Sequence, residues 1–177
     1  MTATINVTDA IYTYGADADF RTSVVAGLAA LGITGSDIVY NAGAAVIAKI
    51  SNGTGTYANN YLRFREDGSS SNRHLVRMGT GYTSGDDVTG SITSSNAGFY
   101  ATSTAVKHRT IKADDGSFGV VQLLNSSTNS VESLYGFIKT TNSTESAANI
   151  PLAVGICSID STGVTNSTND AIIGFNA

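Results

Sequence analysis

Turn-forming residues recur so densely along this chain that few stretches longer than about ten residues run without a break. Ser, Thr, Asn and Gly supply 76 of its 177 residues. Between their clusters lie short runs rich in β-branched and aromatic residues, the pattern of strands rather than helices. Residues 4–14 form one such run, and residues 38–50 another that breaks around Asn41, Ala42 and Gly43. From Tyr61 to Arg65 the chain alternates strictly. Tyr61, Arg63 and Arg65 share one face, and Leu62 and Phe64 the other. Glu66-Asp67-Gly68 is expected to turn the chain, and a Ser-rich loop leads to a strand at 74–78. Further strands are expected at 88–92, 99–112, 117–124, 134–140, 152–159 and 171–175, with Asp114-Asp115-Gly116 as a second hairpin turn. Pro151 stands at a strand start, where a missing N–H costs little. About nine or ten short strands imply a mainly β domain: a β-sandwich, a jelly roll or a barrel-like fold.

One segment departs from this pattern. From Asp17 onward Phe20, Val24, Val25, Leu28 and Leu31 recur with helical spacing. Asp17 and Asp19 suit a helix N-terminus and Gly32 suits its stop. A single N-terminal α-helix over 17–31 is therefore expected to lie across a sheet as a lid, with Val24, Leu28 and Leu31 buried and Arg21 outside. The same run could serve as an assembly surface. Domain organisation follows: one domain over 1–177, with an N-terminal strand or arm at 1–16, the helix, and strands over 38–177.

The hydrophobic fraction of 41% argues for a packed core rather than disorder. Charged residues make up 14%, well under the usual ~25%. No unbroken apolar run approaches the ~18 residues of a helical membrane span, and no membrane partner is expected. Residues 1–8 lack the basic-then-apolar order of a secretion signal. The lone Cys157 excludes an intramolecular disulfide and, between apolar neighbours, reads as a buried strand residue.

Charge is unevenly spread. Residues 63–112 carry a net +3 and the rest of the chain −7, giving the overall −4. Arg63, Arg65, Arg73 and Arg77 are expected on the paired strands of one hairpin, presenting a positive patch to an acidic surface of a neighbouring subunit. The plainer reading makes them a solvated face. Nucleic acid is not expected as a partner, because four arginines in a chain of pI about 4.9 would bind it only weakly and with strong salt dependence.

A search for chemistry returns little. His74 and His108 both sit in basic strands, and positive charge at Lys107 and Arg109 opposes the imidazolium that a triad base must form. The stretch from Gly79 to Gly85 lacks the Gly-Lys-Ser/Thr ending of a phosphate loop. Asp86-Asp87 and Asp114-Asp115 lack calcium-loop spacing and read as turn residues. Only three glutamates and no tryptophan argue against a glycosidase. The reading is a non-enzymatic protein with no cofactor and no metal. Eight tyrosines, among them Tyr12 and Tyr14, offer large rigid area with a polar tip and suit a binding or assembly surface as well as a half-buried sheet.

Taken whole, the β-rich, Ser/Thr/Gly/Asn-heavy chain resembles small virion proteins of tailed bacteriophages, the head-decorating (cement) proteins and tail components. The start Met1-Thr2-Ala3-Thr4-Ile5, the loop Thr165-Asn166-Ser167-Thr168-Asn169 and the C-terminal Ala171-Ile172-Ile173-Gly174-Phe175 carry the likeness. It implies a homo-oligomeric structural protein, commonly a trimer, that contacts other virion subunits in a particle assembled in the host cytoplasm. Its terminal strands, with Tyr12, Tyr14 and Phe175, would join neighbouring sheet edges. The competing class is a carbohydrate-binding or adhesion module of a tail fibre or cell surface.

Overall fold

The computed structural model describes residues 3–13, 17–50, 59–67, 73–91, 96–100, 105–125, 131–139, 149–155, 157–159, 165–166 and 171–173. These form β1 (Ile5–Thr13), α1 (Asp17–Ala30), a 3-10 turn (Gly35–Asp37), β2 (Ile38–Ala42), β3 (Ala45–Lys49), β4 (Tyr61–Asp67) and β5 (Arg73–Gly81). There follow β6 (Thr89–Ser91), β7 (Asn96–Tyr100), β8 (Ala105–Ala113), β9 (Phe118–Asn125) and β10 (Val131–Lys139). Then come β11 (Asn149–Gly155), β12 (Cys157–Ile159), β13 (Thr165–Asn166) and β14 (Ala171–Ile173). Ten of these strands have five residues or more.

Every pairing is antiparallel. One sheet runs β1-β8-β9-β10-β11-β14, and the other β13-β12-β7-β5-β4-β3-β2 with β6 added beside β5. The molecule is thus a two-sheet sandwich and not a closed barrel. The expected mainly β class with one helix holds.

Alternation decides what fills the space between the sheets. From the first sheet Val106, Val121, Leu123, Tyr135 and Phe137 point inward, and from the second Val46, Ala48, Leu62, Phe64, Val76 and Met78. Phe64 and Tyr135 join the layers edge to face, with ring centroids 4.7 Å apart.

Helix α1 completes this core. Phe20, Val24, Leu28 and Leu31 are buried as the periodicity indicates, whereas Val25 is only half-buried. The helix touches β2, β3 and β4 on one side and β1 and β8 on the other, so it is wedged between the sheets instead of lying over one as a lid. Close-packing small residues make this fit: a Cβ on Gly27 would overlap the Tyr135 hydroxyl. At its end the Ile33 N–H reaches the Leu28 carbonyl (3.0 Å) and the Gly32 N–H that of Ala29 (2.9 Å), with Gly32 at φ +89°. That is a Schellman stop, in which glycine takes the left-handed position and buried Ile33 packs beyond it. Arg21, expected outside, is half-buried and donates to the Gly43 carbonyl at the β2–β3 turn.

The pairing departs from the expected elements at several places. Glu66 and Asp67 continue β4 opposite His74 and Arg73 rather than turning the chain. The expected strand over 99–112 is two strands, β7 and β8, in different sheets. Thr165 and Asn166, expected in a loop, pair with β12.

Candidate functional site

The arginine face is real, but it is occupied from within. Register sets Arg63 directly opposite Arg77, and Arg65 two residues along on the same side, on the outer face of the second sheet. Facing like charges destabilise a ladder unless something answers them. The answer is the 82–88 segment that joins β5 to β6 and folds back over this face. Asp87 bridges the pair: one carboxylate oxygen lies 2.9 Å from Arg77 NH1 and the other 3.6 Å from Arg63 Nε. Arg63 Nε also donates to the Asp86 carbonyl (2.7 Å), and the Asp86 carboxylate stands 3.9 Å from Arg65. Val88 is buried above Gly79, where any Cβ would meet it, so the glycine admits the strap. The result leaves Arg63 only 4% exposed, and burial pushes its guanidinium below its ordinary pKa.

Three of the four expected arginines therefore converge, with one positive charge in excess of the two aspartates. Arg73 stands on the same side by register, opposite Asp67, but its side chain lies outside the described residues, as do Tyr14 and Phe175. Tyr12 is half-buried with its ring tilted over that of His108, centroids 4.5 Å apart. Reading Asp86 and Asp87 as turn residues missed their part in neutralising the arginines. The excess of basic over acidic residues in 63–112 gave no sign of it.

The second surface lies on β1. Among the described residues this strand pairs only with β8, residue for residue from Ile5 opposite Ala113 to Thr13 opposite Ala105. Ile5, Val7 and Ile11 project from one face and are 55%, 56% and 64% exposed. Between them stands Asp9, which accepts from Arg109 Nε (2.9 Å) and NH2 (3.0 Å), with Lys107 at 4.0 Å. Those bonds from Arg109 hold the Asp9 carboxyl below its ordinary range and raise the guanidinium above its own. Thr4 extends the clamp: its N–H donates to Asp114 Oδ1 (3.0 Å), and its carbonyl accepts from the Asp114 N–H (3.0 Å). The sequence marked residues 4–14 as β-rich without showing that the strand would be an edge with its apolar face in water.

The remaining acidic pair is accounted for locally. Asp115 Oδ1 accepts from the Ser117 N–H (2.9 Å), and bonds from Ser117 lower its pKa. Among the described residues no three His, Cys, Asp or Glu side chains converge as metal ligands. Among them, too, no helix is long and apolar enough to cross a membrane. No family model, curated protein or solved structure matches this chain.

Proposed function

We propose that this chain is a non-enzymatic structural protein of a phage particle, a capsid-decorating subunit that assembles with its own copies and with neighbouring shell or tail subunits. One observation carries the reading: β1 is an edge strand with three large apolar side chains in water. Proteins ordinarily blunt such an edge with Lys, Pro or a bulge. Within Ile5–Thr13 there is no lysine or proline, and its register with β8 is unbroken. An edge left in that condition is suited to another chain adding to it. The Ser-, Thr-, Asn- and Gly-rich composition supports the virion setting, since a polar, weakly charged surface lets many identical copies pack without strong mutual repulsion.

Sedimentation at micromolar concentration should give an oligomer of the 18.2 kDa chain, and electron microscopy of particles from a producing host should show it at fixed copy number. A monomer absent from particles but selective on a glycan array would replace this reading with the carbohydrate-binding one.

A further inference from the structure

We propose that β1 joins edge to edge with β1 of a second copy, antiparallel and centred on Thr8, so that the six-stranded sheet continues across a two-fold axis. The inference rests on the assembly reading above and gives it a symmetry and a register.

Hydrogen-bond parity shows which groups are available. Thr4 and Asp114 form a hydrogen-bonded pair in register with the β1–β8 ladder. Alternation then commits Asn6, Thr8, Ala10 and Tyr12 to β8, and turns the N–H and C=O of Ile5, Val7, Asp9 and Ile11 toward the free edge. The residues with outward backbone groups are thus the ones that carry the exposed apolar side chains.

The strand places an isoleucine three residues to either side of Thr8. In a Thr8-centred pair Ile5 faces Ile11 of the partner subunit, Val7 faces Asp9, Asn6 faces Ala10, and Thr8 meets its own copy. Isoleucine meets isoleucine at both ends, and about eight backbone hydrogen bonds form between them. Centring on Asp9 would set two carboxylates face to face, which costs free energy. Centring on Val7 would leave each Ile11 opposite Ala3, with no isoleucine paired to isoleucine. In the Thr8 register each Asp9 keeps Arg109 on its own side, so no charge loses its partner. Such self-complementarity selects a second copy over an unrelated strand. A two-fold contact closes at two copies, so a trimer would need a different surface.

The test compares three variants by sedimentation and melting. Val7→Pro removes an outward N–H and should weaken association at least about a hundredfold while the dilute protein melts as wild type does. Thr8→Pro removes an N–H that β8 needs and should lower the melting temperature itself. Thr8→Cys, made with Cys157→Ser, should oxidise to a covalent dimer across the non-hydrogen-bonded centre, where the Cβ separation suits a disulfide. A wild-type protein that stays monomeric overturns both the contact and the assembly reading. An oligomer that Val7→Pro leaves intact and Thr8→Cys does not cross-link overturns the contact alone.

Discussion

Replacing Gly27 by alanine should destabilise this protein, although the same change in most helix interiors stabilises. Helix propensity favours alanine over glycine by about 1 kcal/mol. At this position the new methyl would overlap the Tyr135 hydroxyl, and would also stand 3.3 Å from Tyr135 Cζ and 3.4 Å from Val121 Cγ2. Tyr135 has no room to retreat: it is 1% exposed, and Phe64 holds its ring edge to face. Overpacking a core costs about 1–3 kcal/mol, and an overlap this deep belongs at the upper end. The net loss is therefore about 2 kcal/mol, a fall in Tm of roughly 4–8 °C for a chain of this length. Thermal melting followed by circular dichroism measures it. The double variant Gly27→Ala/Tyr135→Phe removes the offending oxygen and should show a favourable coupling of about 2 kcal/mol relative to the two single changes. A rise in Tm for Gly27→Ala alone would refute the wedged position of the helix.

The strap over the second sheet makes a different demand. Arg63→Glu would bury a carboxylate beside Asp86 and Asp87 and should cost about 3–5 kcal/mol by urea unfolding; a loss under ~0.5 kcal/mol would show that the face is solvated. The Asp9–Arg109 clamp should respond to acid. Its folded pKa lies below the ordinary 3.8, so its contribution is present above about pH 4 and fades as pH falls through the folded value. Hydrogen exchange along β1 should show extra opening in that acid range for the wild type, and Asp9→Asn should abolish that pH dependence. An identical pH profile in the variant would dismiss the clamp.

How much of this was legible in the sequence depends on how local each cause is. The spacing of Phe20, Val24, Leu28 and Leu31 defines a buried helix face within one segment. Strict alternation likewise places Arg63 and Arg65 together on one side of β4, and pairing adds Arg77. The strap was not legible, because nothing local shows that Asp87 returns over residues 10 and 24 positions earlier to meet Arg77 and Arg63. Nor was the exposure of β1. Apolar residues at alternate positions usually mark a core face, and the strand's place at an edge follows from pairing with β8, about a hundred residues away in sequence.

That separation has a consequence for biosynthesis. Asp9 and Arg109 are 100 residues apart, so at ribosomal rates of about 5–20 residues per second β1 waits roughly 5–20 s for its partner to be made. Throughout that interval Ile5, Val7 and Ile11 have neither sheet nor ladder. Chains growing side by side on one message would, under the proposed contact, present their N-terminal strands to one another before either β8 has been translated. The arm that completes one nascent molecule fits its neighbour equally well, and dilution after synthesis cannot undo an exchange made then as quickly as it formed. Under the proposed β1–β1 contact, messenger occupancy as well as protein concentration would set how many copies leave the ribosome already joined.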